Sequence, residues 1–201
     1  MTSRALGCAQ RFSGVFQKDT LMLNYKQIGR LPESITISRN GKPLSALRVN
    51  LGKVRVIDRT LKIADAEMID EFPPLPVTIT NGEYDVYTYQ WPHPRGIVNL
   101  CAVLYVRPQR WSLTRRLSIP NEVRPDLAEG LIVDFGAVSI KSGNAITLTS
   151  GLGDGYYPVF ANNNFGWWLQ SLIVDFKIWE MGNVVHMPGQ QVDEYGIGMG
   201  G

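Results

Sequence analysis

Histidine and cysteine are scarce in this chain of 201 residues, with two of each. His93 and His186 are the only imidazoles. A nucleophile and base would therefore have to pair one of them with Cys8, Cys101 or a serine, or use another base. His93 stands between two prolines and His186 beside a Met-Pro turn, which are the surroundings of ordinary loop residues. The cysteines form no C-x-x-C pair, so neither a zinc site nor a disulfide framework is indicated. Cys101 lies inside an apolar run, where a thiol packs rather than reacts. Long hydrophobic stretches are missing as well. Nothing approaches the roughly 18 consecutive apolar residues that cross a bilayer, and "MTSRALGCAQRFSG" at the start holds no run of the roughly 7–15 that a secretory signal requires. Strong charge is also absent, because the net value of +2 is too mild to draw the chain to polyanions or acidic membranes. The expectation is a cytoplasmic protein without metal or cofactor, without membrane attachment, and with nucleic acid disfavoured.

What is present is ordinary globular material, 44% hydrophobic and 19% charged, enough to bury a core. No repeat or linker divides residues 1–201, so one β-rich domain is expected, with 188–201 a flexible tail of scattered glycines. Period-two alternation dominates. "ESITISRNGKPLSALRV" reads as two strands joined at Asn40-Gly41, a pair suited to a tight hairpin turn. "KVRVID" alternates as a half-buried strand does. "LPVTITNGEYDVYTYQW" repeats the strand, Asn-Gly, strand pattern, with Tyr84, Val86 and Thr88 on one face and Tyr87, Tyr89 and Trp91 on the other. "IVNLCAVLYV" is apolar nearly throughout, which marks a central strand covered on both faces. "ADAEMIDEF" is the best short helical candidate, stopped by Pro73-Pro74. Residues 107–125 show no clean period. "GLIVDFGAVSI", "NAITLTS", "GYYPVFA" and "GWWLQSLIVDFKIWE" then follow as the strands of a C-terminal meander. The predicted fold is mainly β, an antiparallel sandwich or partly closed barrel with at most one or two short helices.

Three groups of residues carry candidate chemistry. Gly151, Gly153 and Gly155 alternate around Asp154. They suit a compact turn pinned by that carboxylate, or a nest offering amides to an anion. Tyr156 stands where a dinucleotide fingerprint needs its third glycine, and no Gly-Lys-Ser/Thr follows, so Rossmann and Walker chemistry are rejected. Asp154 alone also makes no EF-hand loop. Pro158 lacks an amide donor, which predicts an edge strand or a position facing away from the ladder. Beside it, Tyr156, Tyr157, Trp167 and Trp168 fill a core or form a docking surface. Arg107, Arg110, Arg115, Arg116 and Arg124, with Trp111 among them, form the clearest charge cluster, suited to an acidic partner or to solvent. Asp134, Asp154, Asp175 and Glu180 are the carboxylates from which a glycoside-cleaving pair would have to come.

"KVRVID", "NGEYDV", "IVDFGAVSI", "SGLGDGYYPVF" and "LIVDF", in that order, resemble the bacterial family catalogued as domain of unknown function 4241. The resemblance spans about residues 53–176 and rests chiefly on the last hairpin. Phe135, Ala137 and Arg59 depart from the family's pattern, which has a small residue, a threonine and a proline there. It implies a β-rich fold and a bacterial setting, with no reaction attached. The expected function is a non-catalytic binding protein with a protein partner, an immunity protein neutralising a toxin being its expected setting. One alternative is a carbohydrate or small-ligand module, with Trp167 or Trp168 stacking on a sugar and Asp154 fixing a hydroxyl or cation. Another is a hydrolase built on Asp134 and Asp154.

Overall fold

The computed structural model describes residues 25–39, 42–94, 96–108, 113–119, 130–150, 153–165 and 167–176. It is mainly β, with antiparallel sheets, a curled seven-stranded half-barrel and one short helix at residues 25–28. The strands are β1 (Ser34–Arg39), β2 (Lys42–Val56), β3 (Lys62–Asp65), β4 (Gly82–His93), β5 (Gly96–Tyr105) and β6 (Leu113–Arg116). They continue as β7 (Leu131–Val133), β8 (Ala137–Lys141), β9 (Ala145–Thr149), β10 (Gly155–Tyr157), β11 (Val159–Asn163) and β12 (Leu169–Asp175). The large sheet runs β1-β2-β4-β5-β12-β11-β6, a second sheet is β3-β8-β9, and β7 pairs with β10.

The apolar run of β5 occupies the middle of the large sheet, as its composition requires. A strand flanked on both sides and covered on both faces has no solvent to meet, so alternation gives way to continuous apolar residues. The two faces feed two cores. Val54, Val56, Val86, Ala102, Leu104, Leu172 and Val174 pack against Ile63, Val138, Ile140 and Leu148 of the three-stranded sheet. On the other face Tyr89, Trp91, Cys101, Val103, Phe160 and Ile173 gather with Tyr25 and Ile28. Tyr25 stacks on Phe160 with ring centroids 3.7 Å apart and donates its hydroxyl to the buried Asp175 carboxylate at 2.5 Å. Alternation in β4 thus feeds both cores, Val86 to one and Tyr89 and Trp91 to the other.

The first hairpin forms in the expected register, with Arg39 opposite Lys42; its corner Asn40-Gly41 lies outside the described residues. "KVRVID" is the far half of β2, beyond a bulge between Asn50 and Gly52. The turn joining β8 to β9 is stitched onto that half. Asn144 accepts from the Arg55 amide at 2.6 Å and donates to the Lys53 carbonyl at 2.9 Å, and Ser142 accepts from the Ile57 amide at 3.0 Å.

Several expectations are corrected. "ADAEMIDEF" contains no helix: Ala64 and Asp65 finish β3, and residues 66–71 form successive tight turns. The Asp65 carboxylate accepts the Glu67 amide at 3.0 Å, a local bond that competes with helix propagation. No hairpin forms at Asn81-Gly82. Pro73, Pro74 and Pro76 deny the preceding segment its amide donors, and it makes only an isolated parallel bridge, Thr78 to Trp168. Asn81 instead accepts the Arg59 amide at 2.8 Å. "GLIVDFGAVSI" is two strands in different sheets, parted by bends at residues 134–136. "GYYPVFA" is likewise split at Pro158, so the C-terminal half is no single meander: β10 leaves to pair with β7 while β11 joins β12 and β6. Residues 107–125, without a clean period, contain the edge strand β6. The tail 188–201 lies outside the described residues.

Candidate functional site

Two corners of different character lie along β10 and β11. Ahead of β10, where the chain arrives from β9, lies the glycine corner. Gly136 (φ 63°) and Gly153 (φ 83°) adopt left-handed backbone that side chains resist. Among the described residues the corner is pinned by Ser150 and Tyr157. Ser150 donates its hydroxyl to the carbonyls of Gly136, at 3.1 Å, and Gly153, and its amide to Gly136 at 2.9 Å. The Tyr157 hydroxyl donates to Gly153 at 2.7 Å. Beneath the corner Asp65, only 2% exposed, accepts the amides of Asp134 and Phe135 at 2.8 and 2.9 Å.

Asp134 and Asp154 flank the same end of the β7–β10 ladder, one residue beyond the Val133–Gly155 pair, and both are exposed. The structure thus brings the two residues of the hydrolase alternative to one end of a ladder. Tyr157 is buried against Phe176, with centroids 5.2 Å apart, and burial raises its hydroxyl pKa. Tyr156 is half-buried with its ring against Gly130. Gly151 lies outside the described residues. Among the described residues no cluster of three or more His, Cys, Asp or Glu side chains is placed to hold a metal ion.

After β11 lies the tryptophan corner. The β11–β12 hairpin turns through Asn164: its amide donates to the Trp168 carbonyl at 3.1 Å, its carbonyl accepts from Trp167 at 3.0 Å, and its side chain accepts from Trp168 at 3.0 Å. Trp167 has a φ of 62°, a left-handed position that glycine or asparagine usually fills in such hairpins. A bulky residue there costs on the order of 1–2 kcal/mol. The ring is nonetheless presented outward, with Trp167 57% and Phe165 89% exposed. Leu113 of β6, paired with Asn163 of β11, is exposed beside them.

The arginines reach this corner too. Arg115 of β6 sits over Trp167, its guanidinium carbon 5.7 Å from the ring centroid, and Arg107 sits 6.0 Å from that of Trp168. Both distances suit cation–π attraction. Arg115 also donates to the Pro76 carbonyl at 3.1 Å, and the Arg107 amide donates to Gln170 at 3.1 Å. Arg116 ends β6, while Arg110, Trp111 and Arg124 lie outside the described residues.

Buried polar atoms without partners collect under the same corner. Among the described residues they are Nε of Arg115, both amide atoms of Asn163 and Oε1 of Gln170. Asn163 is 1% and Gln170 4% exposed. Asn163 lies opposite Leu169 and Arg115 opposite Ala161, both partners belonging to the larger core, so these groups share one face. Neither amide carries a sequence signature beyond the asparagine run 162–164.

The two histidine and cysteine expectations resolve in part. His93 ends β4 with its ring edge-on to Trp91 at 4.9 Å. Cys101 is fully buried and burial pushes its thiol up out of the reactive range, as the apolar run indicates. Cys8 and His186 lie outside the described residues. Among the described residues no helix is long and apolar enough to cross a membrane. Comparison with known proteins finds no matching family model, no matching curated protein and no matching solved structure.

Proposed function

We propose that this chain is a non-catalytic binding protein that captures an acidic protein partner at the tryptophan corner. The observation that supports this reading is the meeting of Arg107 and Arg115 with Trp168 and Trp167, beside the exposed Phe165. Tryptophan and arginine are the residues that most often anchor protein interfaces. Fixed positive charge speeds and orients encounter with an acidic surface. With the bacterial setting that the family resemblance implies, the reading is of a cytoplasmic immunity protein that occludes a toxin by contact. Co-expression with the products of neighbouring genes tests it. A complex that co-elutes on a sizing column, and that the double substitution Arg107→Glu, Arg115→Glu disperses, is the expected result. If the chain elutes alone with every neighbour, the reading loses its ground.

A carbohydrate module is the second reading, favoured by the exposed Trp167 ring and by the unpartnered amides of Asn163 and Gln170 in the strands it joins. Asp154, its other expected contact, belongs to the glycine corner ahead of β10. A glycan array with calorimetry in calcium decides, and silence in both removes it.

A further inference from the structure

Trp167 stands in a backbone conformation suited to glycine while its ring is turned to solvent. A sequence under selection for stability alone would place glycine or asparagine there. Strain of this kind persists where the surroundings enforce it and collects at binding sites. The strands beside it, β6, β11 and β12, carry buried atoms of Arg115, Asn163 and Gln170 that have no partner among the described residues, so two independent costs fall in neighbouring positions. What they accompany is an exposed aromatic ring under the Arg115 guanidinium, next to Trp168 and Arg107.

Resting on the docking reading above, we infer that Trp167 is the specificity-determining anchor of this surface, pre-set by its strained backbone to pack against a hydrophobic side chain of the partner. The partner segment is an acidic peptide with a hydrophobic residue among its carboxylates. Charge complementarity identifies it: Arg115 sits over the ring and Arg107 over that of the neighbouring Trp168. A ring already in place loses little conformational freedom on binding, and rigid tryptophan contacts are favoured anchors for that reason.

The test uses the full chain labelled with ¹⁵N, whose tryptophan indole signals are followed by nuclear magnetic resonance. The probe is an acidic dodecapeptide with one central leucine; a lysine analogue and a dodecamer of deoxythymidine are the comparison arms. The Trp167 signal is identified by its loss in Trp167→Gly. Expected are a shift of that signal with the acidic peptide, and at least tenfold weaker binding in Trp167→Gly and in Trp167→Asn, which tolerates the same backbone angle. A rise in melting temperature of about 2–4 °C is also expected for the glycine variant. Binding that survives both substitutions within twofold, or a glycine variant that melts lower, overturns the anchor while leaving the docking reading intact. Preference for the deoxythymidine strand or the lysine peptide overturns the acidic partner. If the acidic peptide also binds the Arg107→Glu, Arg115→Glu variant undiminished, the docking reading itself falls.

Discussion

The corner ahead of β10 and the corner after β11 meet the same demand, left-handed backbone at a turn, in opposite ways. At the glycine corner the left-handed positions are held by Gly136 and Gly153, and Ser150, Tyr157 and the buried Asp65 bind the backbone around them. At the tryptophan corner a left-handed position is held by Trp167, and buried polar atoms go unpartnered. The first arrangement minimises free energy, whereas the second accepts a local cost and displays a ring. Residues at a corner built for stability should resist substitution, and residues at a corner built for contact should gain stability when simplified. That contrast in sign is the basis of the predictions.

The largest effect belongs to Asp65. Replacement by alanine strips acceptors from the amides of Glu67, Asp134 and Phe135. A loss of about 3 kcal/mol is expected, given the strength of hydrogen bonds to a charged group. Urea denaturation measures it, and a loss under about 1 kcal/mol would mean that water replaces the carboxylate readily. Next come Gly136→Ala and Gly153→Ala, each expected to destabilise by about 1–2 kcal/mol through left-handed backbone. At Gly153 a Cβ would meet nothing within 4 Å, so its cost is conformational with no steric share. If Gly153→Ala melts unchanged, the corner relaxes and its glycine is incidental.

Asn163→Leu is expected to move the other way. Leucine is close to asparagine in shape, and removing buried polar atoms that have no partner should add about 1 kcal/mol. A loss as large as that of Asp65→Ala would place Asn163 in the glycine corner's class and erase the contrast.

The smallest effect lies outside both corners. The Lys141 ammonium beside Asp70 lowers that carboxyl's pKa, and the carboxyl is fully exposed. A lowered carboxylate adds stability above its unfolded pKa, and that contribution disappears as pH falls through the folded value. Asp70→Asn should therefore shift the urea midpoint only slightly near neutral pH, less still in high salt, and not at all in strong acid. A shift rivalling that of Gly153→Ala would show the pair to be more than a surface contact.

Much of the fold is legible because periodicity reports exposure. Alternation reveals β2 and β4, and the unbroken apolar run reveals that β5 is central. Hydrogen bonds that side chains make to nearby backbone are harder to foresee, which is why Asp65 turns a helical-looking segment into tight turns. Pairing between distant segments leaves no local mark. β6 reads as "LTRR" without a hydrophobic rhythm, and its place beside β11 follows from a register in which Thr114 meets Asn162, 48 residues away. The arginine cluster and the tryptophan pair are each visible in the sequence as separate features. Their meeting is a product of that pairing, and so are the buried amides beneath them.

Cys101 gives the molecule an internal clock. Its sulfur sits in the middle strand of the widest sheet, sealed on both faces and held in the protonated form. A disulfide reagent reaches it only when that strand comes free, since attack requires both access and a thiolate. In a Cys8→Ser background, the rate of colour release from an aromatic disulfide therefore times the opening of the sheet's centre.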